Sequence, residues 1–328
     1  MKKTQIPYLF VIAVIVSFSF AINHGLYYLS PLFLSLLIGM IAGNTFTFNS
    51  DFQGVLSITS KKAMRIGIAL LGMQITFTTF ADIGLKGFVA ILMIVIVTFT
   101  LTRWSAHRLG FSPGLSLLMA GGFSICGASA IAAIGAARKS DKNEISYAVG
   151  LVTLLGTLSI FIIPPITRLL SLQSTTSGAW IGAAVHDVGQ VIATASVVGG
   201  TTIKYAVITK LARVVLLAPL LLILSIQSRE HLDRRTSLTA RLTGFLPPFI
   251  ASFLVLVVIN NAVHFSPHVE SVFSNISKFL LSMGLFSMAA SVKIADLRKI
   301  GGRPLFFGIT SWVLFGAFSL SVVRILGI

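Results

Sequence analysis

The sequence predicts an all-α polytopic membrane protein, and its apolar content, its scarcity of charge and its regular apolar runs each support that class. Of the 328 residues, 55% are hydrophobic and only 10% are charged, whereas soluble domains carry about 25% charged residues. A soluble fold of this length could not bury so much apolar surface, but a lipid bilayer can accommodate it. The chain contains many runs close to the roughly 20 apolar residues that one helical crossing requires.

Eleven apolar segments follow one another along the chain, and no soluble domain interrupts them. The first follows Lys2 and Lys3 and resembles a signal peptide, but it has no clear small-residue cleavage site, so we expect it to be retained as a helix. The longest polar connection, from Gln227 to Arg241, is about fifteen residues, which predicts a single membrane transport domain over residues 1–328. The segments fall at about 7–23, 31–48, 63–80, 85–102, 112–137, 145–166, 178–199, 203–226, 242–262, 270–291 and 304–327.

The net charge of +16 lies mainly in the short loops between these segments, which is not the pattern of a nucleic-acid-binding surface. Basic loops favour the cytoplasmic side of a membrane. With a cytoplasmic N-terminus and eleven crossings, sixteen basic residues lie inside and seven outside. If the fifth and seventh segments were re-entrant hairpins, the division would become eighteen to five, so broken crossings and hairpins both stay open. The loop that this choice moves inside holds Arg138, Lys139 and Lys142, and the longest predicted cytoplasmic loop holds Arg229, Arg234 and Arg235.

A weak internal repeat links the fifth and seventh segments. The stretches ICGASAIAA (125–133) and DVGQVIATA (187–195) align without gaps around Gly127 and Gly189, and each precedes a segment that opens with Tyr-Ala-Val. A looser match links LLGMQIT (70–76) with LFSMAAS (285–291). Inverted repeats that pair two discontinuous helices at the bilayer midplane are common in transporters. We therefore predict helix breaks near Gly127 and Gly189 that face each other.

The fifth segment, GGFSICGASAIAAIGAA (121–137), is rich in small residues. Tight helix packing through small residues would explain this composition without a site. The functional interpretation is that the glycines let the helix unwind, so that backbone N–H groups of the downstream half-helix point at a bound anion. The candidate solute contacts in this segment are Ser124, Cys126, Gly127 and Ser129.

The seventh segment contains AAVHDVGQVIATA (183–195), with ionisable and polar residues near its middle. Ionisable side chains inside a membrane segment are costly unless paired or hydrated, and are functional candidates by default. His186 and Asp187 are candidates for charge coupling, and Gln190 and Thr194 for solute binding. The alternative is a structural hydrogen-bond network. Neighbouring residues of a regular helix point about 100° apart, so a shared cavity would require a break near Gly189.

Two basic residues lie within the eighth segment, YAVITKLARVVLLAP. Lys210 and Arg213 are three residues apart and share one helix face. We predict that one of them pairs with Asp187, while the other attracts an anionic solute; structural ion pairing alone is the alternative. Gln74, in LLGMQIT, is a further candidate solute contact and is equally interpretable as an interhelical hydrogen bond.

The combination of GGFSICGASAIAA, HDVGQV, KLARVVLLAP and LLGMQ resembles the YeiH-type bacterial family of candidate sulfate exporters, over essentially the whole chain. That family is placed near the bile acid symporter and sodium/proton antiporter folds. The resemblance implies inverted repeats, two discontinuous helices, a core that moves against a panel, and a homodimer. It also implies sulfate or an organosulfonate as the solute.

These observations favour a secondary active transporter of a small anion in the bacterial inner membrane, coupled to H⁺ or Na⁺. No Walker-type phosphate loop is present, and we expect no cofactor, no metal, no nucleic-acid partner and no enzymatic activity. A cation/proton antiporter that uses Asp187 and Lys210 is the main alternative. A membrane hydrolase that uses Ser129 with His186, and a passive channel, are less favoured.

Overall fold

The computed structural model describes residues 5–25, 30–199, 201–227, 248–263, 265–292 and 302–327, and every regular element within those ranges is helical. The predicted cytoplasmic loop with Arg229, Arg234 and Arg235 lies outside them. The α-helices are α1 (Ile6–Gly25), α2 (Pro31–Thr45), α3 (Ser50–Leu71), α4 (Phe77–Arg108), α5 (Pro113–Gly121), α6 (Ala128–Arg138), α7 (Lys142–Leu169), α8 (Ser174–Ala184), α9 (Val188–Val198), α10 (Thr202–Val215), α11 (Leu217–Gln227), α12 (Pro248–Ala262), α13 (Pro267–Ala290) and α14 (Gly302–Leu326).

Helix starts are encoded by short local signals. The hydroxyl of Ser30 accepts a hydrogen bond from the Phe33 N–H at the start of α2, and Ser112 caps α5 in the same way. A proline follows each cap at the first helical position, where its missing N–H costs nothing. These caps end the preceding loops and set where each apolar segment begins.

Within the described residues, five helices are long and apolar enough to cross a bilayer. Five further apolar helices in the described ranges are shorter. Three of them, α5, α6 and α9, begin or end at an interrupted stretch of backbone. The protein is therefore an α-helical membrane protein, whereas the count of eleven membrane segments stays a prediction. The five spans are Ile6–Asn23, Gly84–Arg108, Lys142–Leu169, Pro267–Ala290 and Gly302–Leu326.

The chain divides into two compact units that are interleaved in sequence. The first comprises Met1–Thr79 and Pro248–Arg298, and the second comprises Phe80–Pro247 and Lys299–Ile328. Each unit has its own buried apolar core. Neither unit is continuous in sequence.

In the first unit, α13 packs closely against α2 through glycines. A Cβ added at Gly39 would lie 2.3 Å from the carbonyl oxygen of Phe286, and one at Gly43 would lie 2.3 Å from that of Ala290. Only residues without a side chain permit such an approach of two backbones. The small residues of α2 therefore fix how it lies along α13.

In the second unit, α8 packs against α10 in a similar manner. A Cβ at Gly178 or Gly182 would lie 2.7 Å from the Thr202 carbonyl oxygen or 2.5 Å from that of Ala206, respectively. This close contact brings the face of α10 that carries Lys210 to the end of α8. The packing of α8 against α10 therefore places Lys210 beside the C-terminal end of α8.

Candidate functional site

The fifth apolar segment is interrupted at Gly127. Helix α5 ends at Gly121, a single π-helical turn covers Gly122–Cys126, and α6 begins at Ala128. Gly127 itself has φ +63° and ψ −128°, a conformation that a residue with a side chain rarely adopts. The interruption therefore depends on glycine at this position.

The seventh segment is interrupted by extended residues and not by a glycine. Helix α8 ends at Ala184, Val185 and Asp187 have extended backbone angles, and α9 begins at Val188. Gly189 lies inside α9, so the break precedes the position that the internal match suggested. The match aligns Gly127 with Gly189, but the structural counterpart of Gly127 is the stretch from Val185 to Asp187.

The two interruptions lie against each other. A Cβ added at Gly127 would be 3.4 Å from the carbonyl carbon of His186 and 3.5 Å from the amide nitrogen of Asp187. The two interruptions are thus in contact, whereas their interpretation as facing breaks of two discontinuous membrane helices stays a prediction. Four half-helix ends meet here: the C-termini of α5 and α8 and the N-termini of α6 and α9.

Lys210 joins the two interruptions. Its side chain is fully buried, and its Nζ donates hydrogen bonds of 2.8 Å to the carbonyl oxygens of Ile125 and of Val185. These acceptors lie just beyond the C-termini of α5 and α8, where backbone carbonyls lack intrahelical donors. One ammonium group therefore links the two interruptions through hydrogen bonds.

Arg213 lies one turn further along α10 and binds the same two half-helices. Its Nε and Nη2 donate to the Ser124 carbonyl oxygen at 3.0 and 2.7 Å, and Nη2 also reaches that of Phe123 at 3.0 Å. On the other side, Nη1 donates to the carbonyl oxygens of Gly182, at 3.0 Å, and Ala183. The planar fork of the guanidinium suits such convergent acceptors.

Electrostatics explains why two cations can be buried at this place. Each helix C-terminus carries the equivalent of about half a negative charge, and two C-termini converge on Lys210 and Arg213. The converging carbonyl oxygens replace the water that each cation loses on burial. Side-chain carboxylates are therefore not required to balance the two charges.

The predicted ion pair with Asp187 is wrong. Among the residues that the structure describes, no carboxylate oxygen lies within the 4.0 Å ion-pair distance of Lys210 or Arg213. The Asp187 side chain instead caps α9, with Oδ1 accepting from the Gly189 N–H at 2.9 Å. The sequence predicts a carboxylate partner for one of these cations, whereas backbone carbonyl oxygens at the interruptions accept their hydrogen bonds. Asp187 remains partly exposed.

His186 lies between these groups and is 2% exposed. Its ring meets that of Phe123 edge-on, with centroids 4.8 Å apart and planes at 78°. Its Nδ1 is buried and has no hydrogen-bond partner within the described part of the chain. A buried polar atom without a partner is uncommon and requires an explanation, which a bound solute or water would supply.

Several predicted solute contacts are engaged within the protein. The Gln190 side chain accepts from the Asp187 N–H and donates to the Thr153 carbonyl oxygen at 3.0 Å. The hydroxyls of Ser124 and Thr194 donate to carbonyl oxygens one turn earlier in their own helices. Their geometry fits structural roles.

Three further predicted residues have different surroundings. The thiol of Cys126 is buried within the π-helical turn. Ser129, in the first turn of α6, is exposed. Gln74 belongs to the first unit, at the turn after α3, where its Oε1 accepts from Ser274 at 3.2 Å. Of these, only Ser129 presents its hydroxyl at the surface near an interruption.

The comparisons with known proteins give the chain a family. A family model described as conserved hypothetical protein 698 matches residues 7–308. A UPF0324 membrane protein of Corynebacterium glutamicum is 34% identical over 323 residues, covering 98% of this chain and 93% of the relative. The inner membrane protein YeiH of Escherichia coli K12 is 30% identical over 303 residues, covering 90% and 86%. The chain belongs to the UPF0324 family. No solved structure matches it.

The family match includes both interruptions and the cation pair of α10. The resemblance to YeiH-type proteins is thereby confirmed, and the relatives are described as membrane proteins, in Escherichia coli as one of the inner membrane. The names of these relatives give no solute.

In this UPF0324 protein, α7 also supports the site, and the sequence analysis did not predict that role. Helix α7 holds Gln190 through the Thr153 carbonyl oxygen and through the Thr157 hydroxyl at 3.3 Å. Gly156 lies between them, and a Cβ there would come within 1.8 Å of the Gln190 Oε1. The stretch LVTLLGTLS (151–159) has small and hydroxyl residues at spacings of three and four. Residues at these spacings share one face of a helix, so the pattern could have indicated this contact face.

Proposed function

We propose that the protein is a secondary active transporter of a small anion, coupled to H⁺ or Na⁺ and working by alternating access. The observation that carries this proposal is the meeting of two interrupted helices whose C-terminal ends are held by Lys210 and Arg213. Interrupted helices that expose half-helix ends are typical of solute sites in secondary transporters. Non-helical backbone at membrane depth is tolerated only where it is buried in protein or lines a cavity.

The electrostatics of the meeting point favours an anion. The partial charges of the two helix C-termini and the two helix N-termini that meet here cancel. Lys210 and Arg213 against the one carboxylate of Asp187 then leave an excess of one positive charge. The N-terminus of α6 has no side-chain cap, since Gly127 precedes it. Its first N–H groups, next to the exposed Ser129, are the donors that a small oxyanion would use.

The same interruptions support a proposal for the finer architecture. We infer that α5–α6 and α8–α9 are the two discontinuous helices of inverted repeats within an eleven-segment fold. In this proposal the second unit is the moving core and the first unit is the panel, in a homodimer of the inner membrane with a cytoplasmic N-terminus. Sulfate or an organosulfonate is the proposed solute, on the strength of the family resemblance.

The test is transport by purified protein in liposomes. Radiolabelled sulfate uptake is measured with a pH gradient, with a sodium gradient and with neither, and a panel of anions is screened by thermal shift. We expect one anion class to raise the melting temperature and to accumulate only with a gradient. Equal uptake with and without gradients would identify a passive channel and contradict the proposal.

Asp187→Asn separates coupling from folding. Asparagine caps helices as well as aspartate does, and no carboxylate oxygen of Asp187 lies within ion-pair distance of Lys210 or Arg213. The variant should therefore melt within a few degrees of wild type. We expect it to bind the anion but to lose gradient-driven accumulation. Wild-type accumulation by Asp187→Asn would exclude this residue from coupling.

A cation/proton antiporter is the second candidate, and the partly exposed carboxylate of Asp187 favours it. A carboxylate at an interruption can exchange a proton for a cation. Sodium-22 uptake against a proton gradient, without any dependence on added anions, would support this alternative. The same preparation of liposomes serves both measurements.

A further inference from the structure

The second unit carries an apolar groove that the proposed solute site does not use. The groove has a volume of about 380 Å³ and lies between α4 and the region where α10 is followed by α11. Phe99 and Ile96 line one side, and Leu220 and Ile223 line the other. An adjoining cavity of about 360 Å³ shares Phe99 and Arg103 with it and continues to the end of α4.

The ionisable groups of this surface are basic and lie at one end. Arg103 lines both cavities, and His107 lines the second together with Trp104. No aspartate or glutamate is among the described residues that line either cavity, and Arg103 has no carboxylate within ion-pair distance in the described ranges. The groove thus pairs a long apolar wall with an unneutralised guanidinium.

The position of this groove along α4 indicates its environment. The apolar wall belongs to the candidate membrane span Gly84–Arg108, and Arg103 and Trp104 come near the end of that span. Tryptophan and arginine at the end of a span are typical of the level of lipid headgroups. Basic residues at this level attract anionic lipids.

We propose that the groove is a binding site for an anionic phospholipid, with an acyl chain between α4 and α11 and the phosphate on Arg103. A phospholipid supplies both an apolar chain and a negative charge at the required end. A small hydrophilic anion would leave the apolar wall unfilled. A second copy of the chain would have to place a carboxylate opposite Arg103.

The bound lipid would contact the transport site through one residue. Ile125 lines the groove, and its carbonyl oxygen is an acceptor for Lys210. A filled groove therefore supports the π-helical turn that holds one end of the cation pair. Lipid binding should consequently raise the thermal stability of the second unit whatever solute the protein carries.

The experiment uses the full chain in detergent, with phosphatidylglycerol or phosphatidylcholine added, and native mass spectrometry to count retained lipids. We expect phosphatidylglycerol to be retained preferentially and to raise the melting temperature. Arg103→Gln should reduce that preference about five-fold, which corresponds to the roughly 1 kcal/mol that one basic residue contributes to anionic lipid binding. Arg138→Gln, at an exposed arginine outside both cavities, is the charge-matched control.

A second variant tests the apolar wall. Ile223→Trp places a large ring in the groove and should lower retention of both lipids, while Val215→Trp, at an exposed site that lines neither cavity, should not. Equal retention of the two lipids by wild type would overturn the proposal. So would an unchanged preference in Arg103→Gln, or an Ile223→Trp variant that alters only the fraction of dimer, since that result would assign the groove to a second copy.

Discussion

Replacing Arg213 by methionine is the most direct test of how the interrupted helices are held. Methionine keeps an unbranched, flexible side chain, shorter than that of arginine, but removes the charge and every donor. The carbonyl oxygens of Phe123, Ser124, Gly182 and Ala183 would lose a charged donor at a site that is only 1% exposed to solvent.

The size of the effect follows from these contacts. Each buried acceptor left without a donor costs about 1–3 kcal/mol, so the four acceptors together cost about 4 kcal/mol at the low end of that range. At about 2–4 °C per kcal/mol for a unit of this size, the melting temperature should fall by roughly 10 °C. Tryptophan fluorescence of the detergent-purified protein during heating measures this directly.

Arg168 provides the matched control. This arginine is exposed and donates one hydrogen bond of 3.0 Å to the Val197 carbonyl oxygen, so Arg168→Met should cost about 1 kcal/mol or less. Arg213→Lys, which keeps the charge but not the fork of donors, should melt between wild type and Arg213→Met. If the Arg213→Met protein melts within about 2 °C of wild type, the hydrogen bonds of Arg213 do not stabilise the two interruptions, and the reasoning is refuted.

Three glycine substitutions test the close contacts around the site and in the first unit. Gly156→Ala should lower the melting temperature by several degrees, because its Cβ displaces Gln190, whereas Gly316→Ala, which meets open space, should not. Gly127→Ala should cost about 1–3 kcal/mol through its positive φ alone, seen as a similar fall in melting temperature, because its Cβ would make only ordinary contacts. Gly39→Val should separate α2 from α13 and reduce the yield of folded monodisperse protein on size exclusion; wild-type yield would contradict that contact.

Many residues of the candidate site could be predicted from their types, but the hydrogen-bond partners of Lys210 and Arg213 could not. Lys210 and Arg213 stood out because cations within an apolar segment are costly, and Gly127 because glycine permits backbone that other residues avoid. Val185 gave no such signal, since an extended residue within an apolar run looks the same as a helical one. The sequence therefore predicts a break near Gly189, whereas the extended residues Val185 and Asp187 lie two to four residues earlier.

The missing ion pair changes the role that Asp187 can have. A carboxylate bound to a buried cation would be held in one charge state, and its removal would unfold the protein. Backbone carbonyl oxygens at the interruptions accept the hydrogen bonds of both cations. The two half-helices are therefore held to α10 without Asp187. Asp187 keeps a local cap and partial access to solvent, so we expect its charge to change without loss of the fold. A residue that couples transport to an ion gradient must be able to change its charge without unfolding the protein. The buried cations hold the helix ends together, so they cannot do this.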